Sequence, residues 1–572
     1  MKKEFRIKGG DKILLILKQF SATEKSIFAL LVLIMIFTSL LLANKVNRSF
    51  LISIPTYGGT LSEGIVGLPR SINPVLAFTD TDRDLSEIVY SGLMKYEQGK
   101  LVTDIAQKYS VSDDGLIYTF LLKNNVRFHD GTQLTADDIE FTIQKIQDST
   151  IKSPKRADWA NVTVKKISPI EIQFILKQPY SPFISNATIG ILPKHIWKNL
   201  DADKFVFSQF NTEPIGSGPY KLSNIKKASD GIPEKYSFVS FDKYYNKVAN
   251  IKSLEIFLYS NEKLAIDAFE NGDIESIAGI SAQEAVKIAS TSPDSNILTA
   301  PLPRIFGIFF NQSNAVVLSN QKVRLALNTA LDKDRFVNEL LYGYGLKIDS
   351  PIPSGLINSS SSPIQNNNKS LAIEILTKDG WVKNADGIME KKDKKSTQTL
   401  EFSITTADTP ELKKAAEIAK SEWESIGAKI TVKVFEYGDL SQNIIKTRKY
   451  DALLFGEFVG KDLDLYAFWH SSQRNSPGLN VAMYVNSKTD KLLETARETL
   501  DSLIEEKTYK DFEKIIKDEI PAVFIYSPDY IYVVPEKIKG IKFEKITNSS
   551  DRWYDINKWY IETDEVWKIF AK

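Results

Sequence analysis

The stretch from Thr399 to Val434 restricts the possible folds more than any other part of this chain. "TLEFSITT" (Thr399–Thr406) alternates apolar and polar residues, as a half-buried strand does. Leu412, Ala415, Ala416, Ala419 and Trp423 then recur at helical spacing, Gly427 closes the helix, and Ile430, Val432 and Val434 alternate again. Strand, helix and strand in this order predict a β-α-β unit with a right-handed crossover, and so an α/β architecture with parallel strands. "KYDALLFGEF" (Lys449–Phe458) supplies a further strand, and "KDLDLYAFWHSS" (Lys461–Ser472) begins just beyond its end. That position matters, because open α/β sheets bind ligands at the carboxyl ends of their strands.

At 572 residues the chain is several times the usual domain size, so two or three lobes with large cores are expected. A formal net charge of +1 gives no global basic field, and no nucleic-acid partner is expected. The absence of cysteine removes disulfides, thiolate metal sites, a cysteine nucleophile and a lipid-attachment cysteine. The three histidines, His129, His195 and His470, are scattered and form no H-E-x-x-H pair, which argues against a zinc centre. No metal and no cofactor are expected.

The run "IFALLVLIMIFTSLLLA" (Ile27–Ala43) is uncharged and at the lower limit of length for spanning a bilayer. Lys2, Lys3, Arg6, Lys8, Lys12, Lys18 and Lys25 precede it, and only Lys45 and Arg48 follow closely. The positive-inside rule then puts residues 1–26 in the cytoplasm, a single-pass anchor at 27–43, a tether at 44–52 and the remainder outside the cell membrane. "LLLANK" makes a weak cleavage pattern, which favours an uncleaved anchor over a processed signal. Ser21 and Glu24 have capping-box spacing for the start of this helix.

Other motifs read as structure. In "FHDGTQLTADDIEFT", Asp130-Gly131 is a turn dipeptide and Thr135 with Asp138 forms a capping box, so His129 is assigned a structural role. "GSGPY" (Gly216–Tyr220) reads as a backbone device in which the glycines permit unusual dihedrals. Val323, Ala326, Leu327 and Ala330 form a core face, with Asp332 placed to cap the next helix. Asp80, Asp82 and Asp84 read as a solvated loop, and "INSSSSPIQNNNKS" (Ile357–Ser370) as a solvent loop within a lobe.

Taken in order, Leu68–Ile146, "GSGPY", "RIFGIFFNQSN" (Arg304–Asn314) with "VRLALNTALDKDRFV", and "YDALLFGEF" leading into "DLDLYAFWHSS" closely resemble the family 5 extracellular solute-binding proteins, the oligopeptide- and dipeptide-binding components of ABC importers. The resemblance spans roughly Gly58 to Ile541. It implies a periplasmic-binding-protein type II-like α/β fold: two large lobes joined by a two-crossing hinge, plus an extra α/β lobe. Lobe I would comprise 53–96, 212–303 and 523–572, lobe II 97–211 and lobe III 304–522, with the ligand enclosed between lobes I and III.

In relatives that bind peptides, an acidic residue in the segment matching "VGKDLDLYAFWHSS" pairs with the ligand's free amine, and the resemblance makes Asp462 and Asp464 the candidates here. On an extended segment the two carboxylates are read as facing opposite ways, so just one of them is expected to point at the cleft. Relatives often carry prolines where Leu463 and Leu465 stand. Tyr466 and Trp469 are candidates for an apolar wall with a polar edge, with lobe packing the competing reading for Trp469. Asn311 and Phe310, at a strand end, are candidates for facing the cleft, with core the competing reading for Phe310. A hydrolase reading of "WHSS" fails for want of a G-x-S-x-G elbow, and adjacent residues on one strand do not readily form a nucleophile–base pair.

The expectation is therefore a monomeric, membrane-anchored, non-enzymatic protein that captures oligopeptides outside the cell and delivers them to ABC permease subunits. The alternatives are the same fold holding a metal chelate or sugar, or a ligand sensor or extracellular chaperone.

Overall fold

The computed structural model describes residues 20–353, 356–357, 367–392, 396–460, 462–543 and 546–571. The basic run before Phe20, most of the polar run Ile357–Ser370, and Lys461 lie outside them. The chain divides into two compact units, one made of the N-terminal segment to Tyr57 with Glu562–Lys572, the other of Gly58–Ile561.

In the first unit the helix Ala22–Phe50 begins at the expected capping box. The Ser21 amide donates to Glu24 Oε2 (2.8 Å) and the Glu24 amide to Ser21 Oγ (3.3 Å). The helix buries none of its side chains, and an 18-residue window reaches a mean hydropathy of 2.7, so length and composition suit a membrane crossing. It continues through Asn44–Phe50, where the sequence reading placed a tether, and leads directly into the strand Leu51–Pro55. That strand pairs antiparallel with Thr563–Trp567. Trp567 donates its indole N–H to Asn47 Oδ1 (2.8 Å) and packs against Phe50, which gives the last helical turn partners that a tether lacks.

The second unit is organised on a mixed sheet. Its strands run in the order Lys429–Phe435, Glu401–Ala407, Ala452–Phe458, Arg304–Phe310, Ala522–Pro535, Ser276–Ala278, Gly58–Val66, Ile251–Tyr259, Pro233–Ser240 and Tyr220–Lys227. The β-α-β unit forms as expected, except that its first strand is buried on both faces from Phe402 to Ala407 and not half-buried. Glu401–Ala407 and Lys429–Phe435 pair in parallel along their full lengths, and the helix Pro410–Glu424 between them is capped by Thr409. Leu412, Ala415, Ala416, Ala419 and Trp423 are buried, and Gly427 closes the turn at φ +94°. Asp332 caps its helix by accepting the Arg335 amide (3.3 Å).

The long strand Ala522–Pro535 belongs to two neighbourhoods. Its first half pairs with Arg304–Phe310 and Gly345–Lys347, its second with Ser295–Pro301. One hydrophobic core accordingly gathers side chains from Ile305 to Tyr526. Another gathers Leu61 to Leu302 together with Tyr530 to Trp559, and includes the separate sheet Ala106–Val111, Ile117–Leu122, Glu171–Leu176 and Val162–Ser168. The change of partners falls at Pro528 and Asp529, beside the other passage of the chain at Leu302–Arg304. The Leu302 amide donates to the Pro528 carbonyl (3.0 Å) and Ser527 Oγ to the Leu302 carbonyl (2.7 Å).

His129 is structural, as read. Its Nδ1 accepts the Gly216 amide (3.3 Å) and its Nε2 lies 3.1 Å from the Gly218 carbonyl. That pattern requires the Nε2–H tautomer, and burial lowers the imidazole pKa to about 4. The glycines of "GSGPY" serve a different end from the one expected. A Cβ on Gly216 would sit 2.1 Å from the Val89 carbonyl oxygen and one on Gly218 2.7 Å from it, so close backbone approach, rather than a left-handed dihedral, excludes a side chain.

The aspartates at 80, 82 and 84 are not in a solvated loop. They open the helix Asp80–Val89, where Thr79 and Asp82 form a capping box. Asp82 accepts amides from Arg70 (2.7 Å), Ser71 (2.9 Å) and Thr79 (3.0 Å), and Asp84 is buried. The T-x-x-D spacing was the available signal.

Candidate functional site

Where the two large cores meet along the long strand lies a cavity of about 750 Å³. Val66, Asp80 and Asp84 line it from one side, and Phe306, Tyr342, Glu411 and Lys414 from the other. Ala278–Ala282, Pro528–Ile531 and Arg552 complete it. Its position follows from the topology: Val66 ends a parallel strand, and ligands bind where such strands end and the order of the sheet changes.

Behind this wall is a fully buried charge cluster. Arg552 Nη2 lies 2.6 Å from Glu63 Oε1 and 2.9 Å from Asp84 Oδ2, and its Nε donates to Glu63 Oε1 (2.8 Å). Tyr532 donates its hydroxyl to Glu63 Oε2 (2.5 Å) and Ser549 donates to Asp84 Oδ1 (2.7 Å). The guanidinium also lies over the Trp553 ring, 4.5 Å from its centroid. One cation serving two carboxylates leaves an excess negative charge, and burial, opposed by Arg552, pushes both carboxyls above their usual range. The cluster joins the strand Gly58–Val66, the helix Asp80–Val89 and the turn Ser549–Trp553, and so fixes one wall of the cavity.

On the long strand itself, Asp529 Oδ1 is buried without a hydrogen-bond partner among the described residues, and burial raises the carboxyl pKa. The neighbouring Tyr530 is 6 % exposed, and its hydroxyl also lacks a partner among the described residues. Sequence reasoning missed both. The available signal was the "SPD" in "AVFIYSPDYIYVVP", a charge in the middle of an otherwise apolar strand.

The residues predicted from "KDLDLYAFWHSS" lie elsewhere. Leu463 has φ +45°, so Asp462 and Asp464 sit in a turn and not on an extended segment, and the expected alternation does not apply. Both carboxylates are engaged by the Tyr96–Ser185 region. Asp464 forms a two-pronged pair with Arg497 (Nη2–Oδ2 2.6 Å, Nε–Oδ1 2.9 Å) and accepts the Tyr180 hydroxyl (3.1 Å). Asp462 accepts the hydroxyls of Tyr96 (3.1 Å) and Ser185. It borders a second cavity of about 740 Å³ with Tyr109, Tyr118 and Glu505. Tyr466 stacks beneath Arg497, 4.1 Å from ring centroid to guanidinium, and against His470.

Trp469 is fully buried among Phe309, Tyr484, Phe512 and Phe524, and Phe310 is buried against Trp423. Asn311 is 2 % exposed. It accepts the Ser313 amide (3.2 Å) and donates to the Arg448 carbonyl (2.9 Å), closing a loop. These three are corrections to the expected cleft-facing set: their side chains fall on the core side of the sheet or are spent on backbone. The Ser472 hydroxyl reaches His470 Nδ1 (2.7 Å), a contact not expected between neighbours on a strand. It arises because the chain turns there, and the same nitrogen accepts the Ser472 amide (3.2 Å) as a cap.

The model of the family described as bacterial extracellular solute-binding proteins, family 5 Middle, matches residues 100–478, and the chain belongs to that family. Its members bind solutes and are not catalysts. The oligopeptide-binding protein AppA of Bacillus subtilis (strain 168) is 28 % identical over 517 residues, covering 89 % of this chain and 92 % of the relative. The structure of B. subtilis AppA in complex with a nonapeptide superposes with a TM-score of 0.66 at 27 % identity, covering 89 % of this chain and all of the other. NikZ from Campylobacter jejuni, in complex with Ni(L-His), gives a TM-score of 0.67 at 28 % identity, with coverages of 88 % and 99 %. The fold is thus that of the type II-like periplasmic binding proteins.

Proposed function

We propose that this chain captures oligopeptides in the 750 Å³ cleft and delivers them to an ABC permease, held at the cell membrane by the helix Ala22–Phe50, as a monomer that performs no chemistry itself. In this reading 53–96, 212–303 and 523–572 act as one large lobe, 304–522 as the other and 97–211 as the extra lobe. Closure is driven by the ligand's greater affinity for the closed arrangement. The observation that carries the reading is the place of the cleft, between the two large cores and alongside both chain crossings. Likeness to AppA, whose structure holds a nonapeptide, supports the ligand class.

Native mass spectra of the full chain in detergent, taken before and after stripping with denaturant, test it. Expected are adducts of peptide mass, and a stabilisation by a mixed peptide pool of about 2.7 kcal/mol at a hundredfold excess over the dissociation constant. The absence of both overturns the peptide assignment. Likeness to NikZ supports a second reading, capture of a metal chelate, which the same spectra recognise by a metal isotope pattern.

A further inference from the structure

In the first unit the strand Thr563–Trp567 changes character along its length. Paired antiparallel with Leu51–Pro55, it sets Thr563 opposite Pro55, Asp564 opposite Ile54 and Glu565 opposite Ser53, then Val566 opposite Ile52 and Trp567 opposite Leu51. Leu51 follows directly on the helix Ala22–Phe50, so the charged residues lie away from the helix and the wholly apolar pairs lie beside it. The strand thus runs back toward the helix and ends on it. Trp567 packs against Phe50 and donates its indole N–H to Asn47 Oδ1 (2.8 Å). The turn Lys568–Phe570 comes next, and here the apolar side chains are in the open: Trp567 is 45 % exposed, Ile569 77 % and Phe570 72 %. Large apolar side chains clustered in this way mark a contact surface.

The rise of the helix fixes the level of that surface. At about 1.5 Å per residue the uncharged run Ile27–Ala43 is about 26 Å long, close to the roughly 30 Å of bilayer hydrocarbon. Asn47 then stands about 6 Å beyond Ala43, in the headgroup layer, and Phe50 about 10 Å beyond it, at that layer's outer margin. Trp567 contacts both, which puts it at the depth where an apolar ring with a polar N–H is most at home. Lys45, Arg48 and Lys568 bring cations to the same level, beside lipid phosphates, while the strand's rise of about 3.4 Å per residue carries Glu565 and Asp564 outward. We infer that Trp567, Ile569 and Phe570 form a second membrane contact, inserted into the interface of the leaflet from which the helix emerges. The inference rests on the reading that the helix crosses the membrane. The strand pair then lies against the bilayer instead of standing clear of it.

Tryptophan fluorescence tests this directly, because Trp567 is the exposed one of eight tryptophans and the other seven are at most 1 % exposed. The full chain is reconstituted in phosphatidylcholine vesicles whose acyl chains carry bromine either near the headgroup or near the chain end, and the vesicles are also washed with alkaline carbonate. Shallow bromine is expected to quench the wild type several-fold more than deep bromine, and Trp567→Phe to lose that quenching. Ile569→Asp combined with Phe570→Asp is expected to reduce it several-fold, with the chain still retained after the wash. Retention without shallow quenching, or quenching equal in wild type and Trp567→Phe, overturns the inference and leaves the anchor standing. Release of the wild type by carbonate overturns the anchor reading and this inference with it. A blue-shifted, unquenched emission that grows with the protein-to-lipid ratio assigns the surface to a second copy of the chain and overturns the lipid contact.

Discussion

Replacing Arg552 by methionine removes the only cation contacting Glu63 and Asp84 among the described residues and leaves an unbranched apolar side chain about as long as the arginine stem. Both carboxylates are fully buried, and Arg552 reaches them at 2.6 and 2.9 Å. Breaking a buried pair by deleting one partner typically costs about 3–5 kcal/mol, because the remaining charge stays out of water. Set against a usual domain stability of about 5–15 kcal/mol, that is a large fraction. The loss should depend on pH in a defined direction. Burial already raises both carboxyls, and deleting the opposing guanidinium raises them further. A carboxyl raised in the folded state holds its proton where the unfolded chain has released it. The variant's stability is therefore greatest below the unfolded carboxylate pKa, and it falls by up to ~1.4 kcal/mol per pH unit per group as pH rises toward the folded value. Urea unfolding followed by tryptophan fluorescence at pH 5 and pH 7 measures this. The expected deficit is larger at pH 7, and adding Glu63→Gln and Asp84→Asn to the variant should recover most of it. A deficit under about 1 kcal/mol at pH 7, or one equal at both pH values, refutes the reasoning.

His129 is held neutral with its pKa lowered to about 4, so its contribution is complete above about pH 6.5 and is lost as pH falls toward 4. His129→Gln should flatten the acid limb of the urea-midpoint profile between those values. Gly216→Ala places a methyl 2.1 Å from the Val89 carbonyl oxygen and should cost about 2 kcal/mol or more, read as a lower melting temperature. Asp464→Asn leaves Arg497 without its two-pronged carboxylate and weakens the Tyr180 contact. Because that pair is only partly buried, a loss of about 1–2 kcal/mol is expected, with faster proteolysis between Tyr180 and Ser185 as a second readout.

What was legible in the sequence was local. The spacing from Leu412 to Trp423 and Gly427 report on their own neighbours in the chain, and the parallel unit forms, whereas the alternation of Phe402 and Ile404 marks a strand without showing that both its faces are buried. The capping boxes at Ser21 and Thr135 were legible for the same reason. The site was not, because it is made by residues far apart in sequence. Nothing near Asp84 announces Arg552, and nothing near Asp529 announces that the neighbouring acids find partners while it does not. The expectation that Asp462 and Asp464 face opposite ways fails twice: residues two apart on a strand share a face, and Leu463 is left-handed, so the backbone there is not extended. Gly216 misled in the opposite sense: its ordinary dihedral hides a clash with Val89, which only the tertiary fold reveals.

The cleft and the crossing between the cores are made from the same piece of chain, which bears on how capture and closure are coupled. Pro528 and Asp529 mark the change of partners on the long strand, and Leu302 is laced to Pro528 and Ser527 by two hydrogen bonds. A rotation at this crossing moves the Phe306, Tyr342 and Glu411 wall relative to the Val66, Asp80 and Asp84 wall, with Asp529 near the pivot. A group near a pivot is displaced little by rotation, so a ligand contact made there would persist in both arrangements and favour neither. In the proposed function, a differential affinity driving closure would then come from the walls, which gain contacts only as they approach. Contact at the pivot and closing of the cleft are separable steps on this geometry. Any change of affinity in Asp529→Asn should therefore leave ligand-induced compaction, measured by small-angle scattering at saturation, intact. Loss of compaction at saturation would place the carboxylate in the closing step and refute the separation.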